Sequence, residues 1–231
     1  MIQKTVRPHT PAGHSRAVAT AKRFVQLWLG LAIYAVSMDL MVRANLGLDP
    51  WDVFHQGLSR RLDVSMGVVV IAVGVVVLLA WIPLRQRPGF GTVSNALLIG
   101  VVFNVVLPWI PVTQRLDARV AMMAAAVVLC GIATGMYVSV GWGAGPRDGL
   151  MTGLARRTGV SVRLTRTAIE LTVFFSGWLL GGSIGIGTVV FAVSIGPLAQ
   201  LFLRLFGYDA AKGAGARHSS TVAEPVSTGS M

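Results

Sequence analysis

The chain has 231 residues, of which 54% are hydrophobic and only 13% charged, about half the charged share of a soluble domain. The mean hydropathy is +0.68 and the net charge +11, from 20 Lys and Arg against 9 Asp and Glu. These values exclude a soluble globular enzyme. The basic residues stand between apolar runs, which points to membrane topology and not to nucleic acid. The single cysteine, Cys130, lies in an apolar run and excludes a disulfide framework or a cysteine metal site.

Residues 1–23 are polar and basic and read as a cytoplasmic tail without a fold of its own. Six apolar stretches long enough for membrane helices follow, at 24–42, 66–84, 93–112, 120–140, 164–181 and 186–206. The first starts too late and runs too long for a cleaved signal peptide, and it lacks a small-x-small exit. With the N-terminus inside, fifteen basic residues fall on the cytoplasmic side. Five, Arg43, Arg60, Arg61, Arg115 and Arg119, fall outside. Both termini are therefore expected in the cytoplasm, with the protein in the cell membrane. Residues 209–231, rich in Gly, Ala, Ser and Thr, read as a disordered cytoplasmic tail.

The chain repeats itself at an offset of 96 residues without a gap. Gly47, Pro50 and Asp52 fall on Gly143, Pro146 and Asp148. Gly57, Leu58, Arg60 and Arg61 fall on Gly153, Leu154, Arg156 and Arg157. Gly89, Gly91 and Thr92 fall on Gly185, Gly187 and Thr188. About a third of positions from Val42 to Gly100 are identical to their partners. Each unit, 24–113 and 114–208, contains three stretches, and an odd number inverts the second copy. The expected fold is all-α, a polytopic membrane protein with six transmembrane helices as a 3+3 inverted repeat.

Each repeated turn reads as a helix start. Pro50 and Pro146 suit a first helical position, and Asp52 and Asp148 fall in the first turn, where a negative charge is favourable. In the first copy Trp51, Phe54, Leu58 and Leu62 share one helical face, so 50–62 is expected to be a short amphipathic helix. It and 146–158 either lie at the interface or dip in as re-entrant pieces. Ser65 and Ser161 read as N-caps of the stretches after them, and Thr92 and Thr188 as openers of the next. Inversion predicts that the Gly47–Asp52 turn lies near Gly185–Thr188, and the Gly143–Asp148 turn near Gly89–Thr92. Glycine-exposed helix amides can hold an anionic or polar ligand group. Gly47, Pro50, Trp51, Asp52, His55, Gly91, Thr92, Gly143, Pro146, Asp148, Gly187 and Thr188 are thus candidate substrate-binding residues; caps and turns explain the same residues without a ligand.

Ionisable residues inside apolar stretches are costly and mark function or pairing. Asp39 and Arg43, and Arg166 and Glu170, each have the spacing of an i, i+4 ion pair. Glu170 lies deepest and joins the candidate substrate-binding set. Asn95, Asn104 and Gln200 are polar at the same depth and suit interhelical hydrogen bonds or a pathway. Gly131-x-x-x-Gly135 suits close packing within the bundle. Pro197 should bend the last stretch.

The run Asn45-Leu46-Gly47-Leu48-Asp49-Pro50-Trp51-Asp52-Val53-Phe54-His55, with Pro88-Gly89-Phe90-Gly91-Thr92, resembles the YczE/YyaS/YitT-type family of bacterial integral membrane proteins, and within it the YczE branch. The second copy continues the likeness with Gly143-Ala144-Gly145-Pro146-Arg147-Asp148-Gly149 and Ile169-Glu170-Leu171. The chain departs from the family at Asp63, where a glycine is common, and at Asn104, where an acidic residue is common. The resemblance implies a multi-pass plasma-membrane protein and names no substrate.

Two function classes fit. The first is transport or binding of a small solute within the lipid bilayer. The second is a non-transporting accessory protein supporting a biosynthetic or envelope process. A membrane-depth cavity lined by both motif copies favours the first, and a dry packed centre the second. No Walker loop and no paired catalytic constellation occurs, so no enzyme activity, cofactor, metal or nucleic-acid partner is expected.

Overall fold

A computed structural model describes residues 12–207, and among them the chain is helical with no strand. Eight α-helices follow in order: α1 Ala12–Ala44, α2 Pro50–Leu62, α3 Met66–Ala80, α4 Phe90–Val106, α5 Leu116–Ser139, α6 Pro146–Thr158, α7 Val162–Leu179 and α8 Ile186–Leu205. A 3₁₀ turn, Leu107–Trp109, extends α4.

Several boundaries differ from the expectation. Residues 12–23, expected as part of an unfolded tail, are the first turns of α1. The rest of that tail and the C-terminal tail from 209 lie outside the described residues. The stretch 66–84 breaks after Ala80, where a turn runs through Pro83 to Arg85 at φ 52°. That leaves α3 at 15 residues, about 22 Å of rise, short of a hydrocarbon core of about 30 Å. Four helices, the 17–44 part of α1, α4 with its 3₁₀ turn, α5 and α8, are long and apolar enough to cross a membrane. α2 and α3, bent by 114°, make a fifth candidate if taken as one broken span. α7 carries Arg163, Arg166 and Glu170 within its 18 residues. The outer faces of α4 and α8 present Leu97, Val101 and Val105, and Val189, Val193 and Leu201, as exposed apolar bands, the surface a lipid-facing helix needs.

The helix pairings exchange between the halves. α1 packs against α5 at the centre, with Gly30 of α1 close on Met136 and Tyr137 of α5. α4 packs on α1 and α8 on α5. The short helices cross over, α2 onto α7 and α6 onto α3. Gly57 and Gly177 let the backbones of α2 and α7 meet, since a Cβ at either would strike the opposite main chain. This crossover turns Trp51, Asp52, Val53, His55 and Gly57 inward. The expected apolar face of α2 is corrected accordingly: Leu62 is exposed while Asp52 and His55 are buried. Arg60 at the end of α2 donates to the Gly181 carbonyl after α7, and Arg157 at the end of α6 donates to the Pro83 carbonyl after α3. Arginines thus tie the ends of the short helices to the turns that follow α7 and α3 in the opposite half.

The halves also differ. α3 and α4 are closed on each other, with Gly67 against Gly100 and the Gly67 amide donating to Asn104 Oδ1 at 3.1 Å. The equivalents of Gly67, Val70 and Gly74 on α7 are Arg163, Arg166 and Glu170. Long charged side chains do not admit that contact, and a Cβ at Gly196 of α8 would meet nothing within 4 Å. Gly131 and Gly135 of α5 instead receive Leu198 and Phe202 of α8. Close packing within the bundle is thus the role of that glycine pair.

Candidate functional site

The repeated turns clasp the halves together. The Gly187 amide donates to the Leu46 carbonyl at 2.8 Å, and the Gly91 amide donates to the Trp142 carbonyl at 2.8 Å. Leu46 and Trp142 are equivalent positions, as are Gly91 and Gly187. Gly47, at φ 121°, lies against Gly185 and Thr188, and Gly143, at φ 130°, lies against Gly89 and Thr92. The Gly47 turn therefore meets the start of α8, and the Gly143 turn the start of α4. Thr92 is the third residue of α4 and Gly89 its cap: the Thr92 hydroxyl accepts from the Gly89 amide at 3.2 Å and donates to the Ala144 carbonyl at 2.7 Å. Thr92 and Thr188 are therefore not the openers of their helices. Ser161 caps α7 through the Leu164 amide at 3.3 Å, whereas the Ser65 side chain makes no cap bond.

Between the starts of α2 and α6 lies a cavity of about 430 Å³, within the size range of small-molecule sites. α2 and its cap contribute Asp49, Pro50, Trp51 and His55; α6 and its cap contribute Gly145, Pro146, Arg147, Asp148 and Met151. Tyr34, Asn95, Thr134 and Tyr137 line it from α1, α4 and α5, and Arg166, Glu170 and Gln200 from α7 and α8. Both motif copies thus face one space.

The polar groups form linked pairs. Asp49 Oδ1 accepts from the amides of Trp51 and Asp52 at 2.8 and 2.9 Å, the cap of α2. Asp52 is fully buried; its Oδ1 lies 3.1 Å from His55 Nδ1 and 3.7 Å from Arg147 Nη2. The Arg147 guanidinium sits over the Trp51 ring at 4.9 Å, a cation–π contact strengthened by exclusion of water. Trp51 and Arg147 are themselves equivalent positions, so the contact joins the two copies across their boundary. Trp81 Nε1 donates to the Pro146 carbonyl at 3.0 Å and holds the start of α6. Trp51 Nε1 and Asp52 Oδ2 are buried without a hydrogen-bond partner among the described residues. Arg166 Nε donates to Glu170 Oε1 at 2.9 Å at the α7 wall.

Of the candidate residues, Pro50, Trp51, His55, Pro146, Asp148 and Glu170 line the cavity. Asp52 lies behind that lining, held by His55 and Arg147. Gly47, Gly91, Thr92, Gly143, Gly187 and Thr188 sit in the clasps. The expected Asp39–Arg43 pair does not form. Arg43 donates to the Leu107 carbonyl at 2.6 Å through Nη2, and both Asp39 carboxylate oxygens are buried without a partner among the described residues. Asp49, Arg147, Tyr34 and Tyr137 are cavity residues that sequence reasoning missed. The signal for Arg147 is its place opposite Trp51 in the repeated motif.

The chain matches the family of unknown function DUF6198 over residues 21–204. An uncharacterized protein of Haemophilus influenzae is 34% identical over 207 residues, covering 88% of this chain and 95% of the relative. The uncharacterized membrane protein YczE of Bacillus subtilis is 33% identical over 183 residues, covering 78% and 85%. The uncharacterized protein YyaS of the same organism is 23% identical over 188 residues, covering 78% and 92%. No solved structure matches. The chain belongs to the DUF6198 family and is a membrane protein of the YczE-like type.

Proposed function

We propose that the protein is a cell-membrane transporter of a small polar solute, built from two inverted three-span units. In this reading α1, the bent pair α2–α3 and α4 form the first unit's three crossings, and α5, α6 with α7, and α8 the second's. Both termini are cytoplasmic, on the bias of basic residues. The bilayer and the solute are its partners, and its work is binding and translocation, not catalysis. The observation that carries the reading is one cavity faced by the starts of two repeat-related short helices. Discontinuous helices whose ends point at a central site are the means by which many transporters hold a solute at membrane depth. Exchange of pairings between halves supplies two related arrangements that alternating access can use.

Uptake and counterflow of pooled metabolites into proteoliposomes test the reading. The expected result is saturable movement of a solute class. Glu170→Gln should reduce that movement strongly. Thermal unfolding run beside it separates loss of movement from loss of fold. Flux absent from protein that is folded by thermal unfolding, with every pool tried, would return the chain to the accessory class.

A further inference from the structure

The two short helices differ at their first turns. On α2 the Asp49 carboxylate meets the amides of Trp51 and Asp52. The equivalent of Asp49 on α6 is Gly145, which has no side chain to offer. Among the described residues no acceptor meets the amides of Arg147 and Asp148. The starts of α4 and α8 are served by carbonyls of the opposite half, and that of α7 by Ser161. Beside the bare start of α6 stands Tyr137, only 8% exposed. Its hydroxyl is 3.5 Å from where a Cβ of Gly145 would lie, and it has no hydrogen-bond partner among the described residues. Gly145, Arg147, Asp148 and Tyr137 all line the cavity.

The carboxylates divide in the same way. Asp49 is met by amides, Asp52 by His55 and Arg147, and Glu170 by Arg166. Asp148 faces the cavity with no cationic nitrogen within 4 Å among the described residues, although the charges of Arg166 and Arg147 act on it from farther away. The bare first-turn amides and the Asp148 carboxylate thus stand side by side on the cavity wall.

Building on the transport reading, we propose that the ligand is a small zwitterion of amino-acid type. Its carboxylate takes at α6 the place that Asp49 holds at α2, and its cationic group faces Asp148. Free first-turn amides and the positive helix end favour a carboxylate there. The first copy already places a carboxylate at the cap beside another in the first turn, Asp49 beside Asp52. There Arg147 offsets the charge while His55 hydrogen-bonds to Asp52; at α6 the ligand's own cation offsets it.

Gly145→Asp supplies the missing carboxylate from the chain. Gly145 has φ −56° and ψ 152°, close to −65° and 161° at Asp49, and a Cβ there would lie 3.3 Å from Asp148 Oδ2, a side chain that must shift slightly, and 3.5 Å from the Tyr137 hydroxyl. The full chain in nanodiscs is to be titrated with pools of the twenty amino acids, followed by thermal unfolding. The carboxylic-acid and amine halves of any binder follow. The expected result is that at least one amino acid raises Tm, and that loss of either charge weakens it tenfold or more. Gly145→Asp should raise the ligand-free Tm and abolish the ligand-dependent shift, Gly145→Ala should keep that shift, and Tyr137→Phe should weaken binding several-fold. If Gly145→Asp does not fold, Gly145→Asn caps the same amides without charge and must show the same loss. No shift with any amino acid, or wild-type binding by the capped variant, overturns the proposal. Binding as described without flux sinks transport and keeps the zwitterion site. Flux of a solute without a carboxylate, unchanged by Gly145→Asp, does the reverse.

Discussion

Arg147 carries a charge across the boundary between the two copies, onto Trp51 and toward Asp52. Asp52 has no exposure, and its other neighbour is His55. Removing one partner of a buried pair leaves an uncompensated charge and costs about 3–5 kcal/mol. Arg147→Met is therefore expected to lower thermal stability sharply, and Asp52→Asn added to it should restore most of the loss. Equal instability in both proteins would show that Asp52 does not depend on Arg147. In the sequence Arg147 is marked only by its place opposite Trp51 in the repeat, and that equivalence does not tell that the two side chains touch. Asp39 and Arg43 show the opposite failure. Helical spacing brings them into reach, but the Leu107 carbonyl, which also accepts the Ile110 amide, takes the guanidinium.

At the scale of elements, equivalent glycines have opposite environments. A Cβ at Gly100 would strike the Gly67 carbonyl and Ile71, whereas one at Gly196 would meet nothing. Gly100→Ala should destabilise by forcing α3 and α4 apart. Gly196→Ala should stabilise by about 0.5–1 kcal/mol, the helix-propensity gain of alanine over glycine. Thermal unfolding of the two single variants decides; the same sign of shift in both would contradict the open surroundings of Gly196, which faces the cavity with Arg166 and Glu170 of α7. The cause of that difference is legible in the sequence once the copies are aligned. Gly67 and Gly74 suit a helix face that packs, and Arg163 and Glu170 do not. The short helices were legible as helix starts from their prolines and acids. Their inward faces were not, because α2 buries Asp52 and His55 against the rest of the bundle and leaves Leu62 outside.

For the whole molecule, the charge bias predicts that a cysteine introduced as Ser220→Cys is labelled from the cytoplasmic side only, with native Cys130 buried and replaced. Labelling by an impermeant reagent added to intact cells would overturn the orientation. Composition and the spacing of apolar runs were enough to determine an all-helical membrane chain, because a bilayer demands long apolar stretches and sequestered backbone polar groups. The 96-residue offset likewise foretold which turns meet, because equivalent segments in a duplicated chain can satisfy each other's free amides and carbonyls. Only the tertiary structure decided which repeated residues face the cavity and which serve as clasps. It also decided that Arg147 rests on Trp51 and that the start of α6 is bare where that of α2 is capped. Those outcomes depend on which side chains cross from one half to the other, and local pattern carries no record of partners so far away along the chain.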